Sequence, residues 1–278
     1  MNTVHYGSTT EHHKDPERTQ ALRRAATASF IGNFIEWFDY ASYGYLAGVI
    51  GSVFFPESDR YAQLLYSFLV FAMSFILRPI GAVVWGLLGD RLGRRWALSW
   101  SILIMSGSTC FIGFLPPYAQ IGMWSAIGLL ILRMIQGFSA SGEYAGAGTF
   151  LAEYAPPARR GIYTCLVPAS TACGLLAGSL MVSGMLFVLG GEESNAMNQW
   201  GWRIPFLLAG PLGLIGRYIR VHLEDSPAYQ AMRAEMPQDP RATSWIEPLI
   251  LLFRYHWRET LITFGVSCLN AVAFYMLL

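Results

Sequence analysis

Seven apolar runs, each long enough to cross a bilayer, dictate what this chain can fold into. They cover residues 24–53, 61–88, 96–115, 121–154, 161–189, 203–221 and 257–278. A helix needs about 20 mostly apolar residues to span the hydrocarbon core. In lipid, a spanning segment must also satisfy its own backbone groups, which helices do. Charge is scarce: 13% of the 278 residues are charged and 54% are hydrophobic, against roughly 25% charged in soluble domains. The pattern predicts an all-α, multi-pass membrane protein. Its expected parts are a tail over 1–23, a six-helix bundle over 24–222, a linker over 223–256 and a seventh helix over 257–278. The fourth and fifth runs exceed the bilayer thickness, which predicts tilt or extension beyond it. The first run is too long for a secretory signal and no small-residue cleavage pattern follows it.

Basic residues set the expected orientation. Lys14, Arg18, Arg23 and Arg24 lie in or beside the tail; Arg91, Arg94 and Arg95 lie between runs two and three; Arg159 and Arg160 lie between runs four and five. Arg217, Arg220, Arg233, Arg241, Arg254 and Arg258 fall in or beside the linker. The opposite side holds Arg60 and, at the edge of run six, Arg203. The expected placement is the plasma (inner) membrane with a cytoplasmic N-terminus. The linker carries Pro227, Pro237, Pro240 and Pro248 and mixed charge. The other inter-run loops are short, so neighbouring helices are expected to pack antiparallel.

A charge inside hydrocarbon is costly, so an ionisable residue there marks a functional candidate. Glu36, Asp39, Arg133 and Glu143 are the candidates for proton coupling and substrate binding. The i, i+3 spacing of Glu36 and Asp39 puts both carboxylates on one helical face. Counted from opposite ends of runs one and four, Asp39 and Arg133 both fall near mid-membrane at 1.5 Å per residue. An ion pair between them is expected. A low-dielectric cavity favours the neutral carboxyl and a nearby guanidinium favours the carboxylate, so making or breaking such a pair couples a proton to a conformational change. The competing reading is a purely structural pair. The rings of Trp37, Tyr40 and Tyr43 surround the acidic pair as a candidate cage for a quaternary ammonium; ordinary helix packing is the alternative.

Between runs two and three, Gly86, Asp90, Arg91, Gly93, Arg94 and Arg95 form a polar loop with the pattern G-x-x-x-D-R-x-G-R-R. Gly93 permits a tight turn, and Asp90 is expected to pair with one of the arginines or to cap the following helix. The network is a candidate conformational latch. Upstream, Arg78 and Pro79 mark a buried charge and a kink. Small residues recur at four-residue spacing in Gly44/Gly48, Gly142/Gly146 and Gly174/Gly178, as in closely packed membrane helices.

Several classes are excluded. No Walker A, G-x-G-x-x-G, H-E-x-x-H or G-x-S-x-G motif occurs, so an enzyme is not expected. The five histidines lie in tails or loops, and the four cysteines sit in apolar segments without metal-like spacing. No metal or other cofactor is expected, and no basic stripe points to nucleic acid.

The loop 86–95 resembles the one between helices 2 and 3 of the major facilitator superfamily. Further segments resemble its metabolite–proton symporter branch: Gly32-Asn33-x-x-Glu36-Trp37-Phe38-Asp39, Phe54-Phe55-Pro56, Arg78-Pro79-Ile80-Gly81, Arg133-x-x-Gln136-Gly137-Phe138-Ser139, Trp200-Gly201-Trp202-Arg203-Ile204-Pro205-Phe206 and Leu223-Glu224-Asp225-Ser226-Pro227-Ala228. Within that branch, Gly142-Glu143-Tyr144-x-Gly146-Ala147 is most similar to proline/betaine transporters. The resemblance implies a twelve-helix fold in two halves, of which this chain carries the first half, the linker and one further helix. It implies proton-coupled symport of a small osmolyte such as proline or betaine, with the lipid bilayer, protons and a C-terminal half as partners. Carriers of 2-oxoglutarate, citrate or shikimate share much of the pattern, and a non-transporting truncated membrane protein is the other alternative. Pro168 follows Val167 where the superfamily's antiporters have Gly-Pro, which favours symport.

Overall fold

The computed structural model describes residues 16–56, 58–223, 229–230, 234 and 247–277. Most of the expected linker, including 224–228, Arg233 and Arg241, lies outside these residues, as do His5, His12, His13 and Lys14. The chain divides into two units, the first ending at Ala231 and the second beginning at Met232.

The first unit is helical throughout. The first expected run is α1 (Pro16–Tyr45), continued by α2 (Ala47–Phe54). The helix begins at Pro16, well before residue 24, because proline lacks an N–H and suits a first turn, where that donor has no partner. The second run is split into α3 (Arg60–Ile76) and α4 (Arg78–Leu92). Asp59 caps α3 by accepting from the backbone N–H groups of Tyr61 and Ala62. The break at Leu77 precedes Pro79, which occupies the first turn of α4. The third run is α5 (Arg94–Phe114), and a short α6 (Tyr118–Ile121) follows. The fourth is divided at Ser141–Gly142 into α7 (Met123–Ala140) and α8 (Glu143–Tyr154). The fifth is a short α9 (Arg160–Thr164) and a long α10 (Leu166–Leu189); the sixth, after a π-helical turn at Met197–Gly201, is α11 (Arg203–Val221). Each of these two runs is interrupted by a break of one or two residues.

Among the described residues, five stretches are long and apolar enough to cross a membrane: Arg60–Leu92, Arg94–Phe114, Met123–Tyr154, Pro157–Leu189 and Met197–Val221. Neither α1 nor the seventh run is among them. The middle of α1 carries Asn33, Glu36 and Asp39, which lower its apolar character, yet all three are buried. Other helices therefore shield this face of α1 from lipid.

Those helices approach closely where the sequence has glycine. A Cβ at Gly174 would lie 2.6 Å from the Phe34 carbonyl oxygen, and one at Gly178 would lie 2.7 Å from that of Phe38, so α10 packs directly on the α1 backbone. Gly142 and Gly146 meet the side chains of Trp85 and Leu98. The third pair differs: Gly44 has no atom within 4 Å of a Cβ position and Gly48 meets only the Glu192 carboxylate, so no helix crossing forms there. The packing leaves two apolar clusters toward the ends of α1. One gathers Tyr43, Leu46, Ile50, Phe54, Leu129, Trp202 and Phe206; the other gathers Leu22, Ala25, Leu98, Phe150, Leu151 and Val167. The polar residues of α1 lie between them.

The second unit contains α12 (Glu247–Tyr255) and α13 (Trp257–Leu277), the latter covering the seventh run.

Candidate functional site

Three turns of α1 carry the polar layer. At the first, the Asn33 amide donates to the Val167 carbonyl (2.9 Å) and to the hydroxyls of Ser170 and Thr171 (2.8 Å each), fixing α1 against α10. At the next, Glu36 Oε1 accepts from Arg78 NH2 at 2.5 Å and from the Tyr40 hydroxyl at 2.9 Å. At the third, Asp39 Oδ2 accepts from Arg133 NH1 at 2.6 Å and from the Gln136 amide at 2.5 Å, while Arg133 NH1 also donates to Gln136 Oε1 at 2.6 Å. Asp39 and Arg133 thus form a buried pair near the middle of the layer, with Gln136 as a third member that the sequence reading did not include.

Glu36 and Asp39 share a face, but they serve different guanidiniums. Glu36 belongs to Arg78, and Glu143 belongs to neither of the central pairs. Glu143 is fully buried at the start of α8 and meets Arg220 of α11 through both carboxylate oxygens, one of them at 2.8 Å. Arg220 also donates to the carbonyls of Leu98 (2.6 Å) and Ala28 (3.1 Å). Gly32 faces this pair: a Cβ there would overlap both Glu143 Oε1 and Arg220 NH2. Arg220 had been counted with the basic residues flanking the linker. It is instead a core residue, because its carboxylate partner lies inside the bundle. Its neighbour Arg217 stacks over Trp100 at 4.6 Å. The four expected site residues thus separate into three ion pairs.

The aromatic residues are arranged around the protein's own cations. Arg133 lies 3.9 Å over the ring of Tyr43, which is buried and donates to the Ser67 carbonyl at 2.9 Å. Arg78 lies 5.3 Å from Tyr40 and 4.7 Å from Phe75. Trp37 meets Tyr40 edge-on at 5.5 Å. The expected cage of Trp37, Tyr40 and Tyr43 is not assembled here, since guanidiniums occupy the faces of Tyr40 and Tyr43.

In the loop after α4, Gly93 adopts φ 105° and ψ 141°, a conformation strongly favouring glycine, and serves as both the end of α4 and the cap of α5. Gly93, at the cap position of α5, supplies no side-chain hydrogen bond. Arg94 pairs with Glu153 of α8 at 2.9 Å, and Arg95 donates to the Leu223 carbonyl at 2.7 Å. Tyr229 donates to the Arg91 carbonyl at 3.1 Å. Gly86, Asp90 and Arg94 line a cavity of about 260 Å³ with Trp85, Ser101 and Gly142.

Several buried polar atoms of the layer have no hydrogen-bond partner: Asp39 Oδ1, Glu36 Oε2, Arg133 Nε and NH2, and Arg78 Nε. Buried polar groups are normally satisfied.

A family model described as "Sugar (and other) transporter" matches residues 25–249. The chain is 41% identical over 260 residues to the proline/betaine transporter of Salmonella typhimurium, a match covering 92% of this chain and 51% of that protein. It is also 41% identical over 260 residues to the glycine betaine/proline/ectoine/pipecolic acid transporter OusA of Dickeya dadantii, with the same coverage of 92% and 51%. The chain spans about half the length of the curated relatives it matches. A solved structure of the proton:xylose symporter XylE, of the major facilitator superfamily, superposes with a TM-score of 0.67 at 18% identity, covering 78% of this chain and 48% of that one. An inward-open structure of XylE from E. coli gives 0.64 at 18% identity over 88% and 60%. The fold is therefore the all-helical one expected from the sequence, matched to about half of a larger carrier.

Proposed function

Because the chain belongs to the family of sugar and other transporters, we propose that its bundle is the first half of a proton-coupled symporter for a small osmolyte such as proline or betaine. The reading places the protein in the plasma (inner) membrane with a cytoplasmic N-terminus, residues 223–256 as a cytoplasmic linker, and a second half completing the substrate site. Substrate sites in such carriers lie at the interface of two repeats.

The observation that carries the proton-coupling part is the buried Asp39–Arg133–Gln136 cluster. Asp39 uses one oxygen for both partners and leaves Oδ1 without any. A proton on that carboxyl weakens its hold on Arg133 NH1, which then joins the unpaired NH2 and Nε in seeking other acceptors. Loading a proton thereby shifts a guanidinium between partners, the kind of two-state element that couples an ion to a conformational change. Glu36 and Arg78 supply a second pair one turn away.

Asp39→Asn keeps the shape and removes the titration. In a chimera carrying this bundle in place of the first half of the Salmonella relative, betaine uptake driven by a pH gradient should fall to the background of empty vesicles. Betaine exchange without a gradient should persist. Gradient-driven uptake that survives in Asp39→Asn would remove Asp39 from the coupling role.

A further inference from the structure

Of the three guanidiniums paired inside the bundle, one reaches the surface. Arg133 and Arg220 side chains are 0% and 3% exposed, whereas that of Arg78 is 27% exposed. Arg78 lies deep in the long span Arg60–Leu92, about 27 Å from its start and about 21 Å from its end at 1.5 Å per residue. That is too far for its side chain to reach a headgroup region by snorkelling. A charge exposed to hydrocarbon at such depth is strongly disfavoured, and intramembrane charges face a bundle interior or a water-filled cavity. The Arg78 guanidinium is therefore read as facing a water-filled cavity, beside the exposed side chains of Ile76 and Ile80.

The geometry points to Arg78 as the anchor for the carboxylate of the transported substrate, an inference that rests on the transporter reading above. Its NH2 is held by Glu36, and its Nε is buried without a hydrogen-bond partner among the described residues, so the exposed part of the fork is its outer edge. Phe75 and Tyr40 stack against the guanidinium at 4.7 and 5.3 Å, and the Tyr40 hydroxyl is itself fixed on Glu36. These contacts hold the planar fork in place before any ligand arrives, which lowers the ordering cost of binding. Arginine's fork matches a carboxylate in a way that a lysine cannot reproduce. Proline, betaine, 2-oxoglutarate, citrate and shikimate all carry a carboxylate, so the anchor suits every substrate class under consideration. An incoming carboxylate competes with Glu36 for the same fork.

The test uses the chimera described above, whose second half completes the site, in lipid nanodiscs, with binding followed by calorimetry. Glycine betaine and choline share a trimethylammonium group and differ in the carboxylate; 2-oxoglutarate has carboxylates and no ammonium. Arg78→Gln should weaken betaine binding roughly thirtyfold, as for loss of one partner of a charge pair, and leave choline unchanged. Arg78→Lys should fall between. The double variant Glu36→Gln/Arg78→Gln avoids a buried unpaired carboxylate and should show the same selective loss with wild-type helical content. Equal loss of betaine and choline marks a structural role and overturns the assignment, as does betaine binding unaffected by Arg78→Gln. Binding of 2-oxoglutarate but not betaine, lost in Arg78→Gln, supports Arg78 and removes the osmolyte reading instead. A chimera with Arg78 intact that binds neither carboxylate overturns the anchor.

Discussion

Replacing Arg220 with methionine should destabilise the bundle by about 3–5 kcal/mol, the cost of leaving one member of a buried ion pair without its partner. Glu143 is fully buried, and Arg220 holds both of its oxygens while also satisfying the carbonyls of Leu98 and Ala28. Methionine fills similar volume but supplies no donor, so a carboxylate and two carbonyls lose their partners together. The double variant Arg220→Met/Glu143→Leu removes the charge as well and should recover most of the loss, because apolar replacement of a whole buried pair is often neutral or better. Thermal unfolding in detergent measures both. An Arg220→Met variant that unfolds at the wild-type temperature would show that the pair adds nothing to stability.

Substituting Gly137 with leucine should be nearly as damaging and should also disturb the site. A Cβ at Gly137 would overlap the Ser74 carbonyl, with the Ser74 carbonyl carbon 2.7 Å away. The obstacle is backbone, so no rotamer change relieves it, and α7 must move away from α3. Overpacking of this kind typically costs about 1–3 kcal/mol. Gln136 is the adjacent residue and Arg133 lies one turn earlier, so displacement of α7 pulls both from Asp39. The expected outcome is a lowered unfolding temperature together with loss of gradient-driven uptake in the chimera. A leucine variant that retains both would show that the α3–α7 crossing does not hold Arg133 and Gln136 on Asp39.

The helical character of the chain was legible because apolar runs of spanning length have few other solutions in lipid, but among the described residues five stretches are long and apolar enough to cross a membrane and several runs are split into two helices. The Asp39–Arg133 pair was legible for a similar reason: depth along antiparallel helices is a one-dimensional count, and both residues come out at the same level. The Glu143–Arg220 pair was not. Arg220 sits in the last turn of α11, where a basic residue reads as a marker of the cytoplasmic side, and its partner is 77 positions earlier. Only the three-dimensional approach of α8 and α11 distinguishes a core arginine from a topogenic one. Ring composition near an acidic pair does not say which cation the rings serve. Tyr43 serves Arg133 and Tyr40 serves Arg78. Helix breaks were partly visible, at Pro79, and partly hidden, as at Ser141–Gly142, where no proline announces the change.

The polar layer of α1 has a consequence for how the chain is made. Asn33 finds its partners 134 to 138 positions later in the chain, and Asp39 finds Arg133 94 positions later. At synthesis rates of roughly 5–20 residues per second, α1 waits about 7–28 s before α10 exists. Arg78 and Arg133 are made earlier, 42 and 94 positions after Glu36 and Asp39, so the carboxylates gain partners first and the Asn33 amide waits longest, leaving its turn of the helix dependent on the insertion machinery. Chains halted before Leu166 should therefore leave α1 extractable from membranes by alkaline carbonate, while chains extended past Leu189 should not.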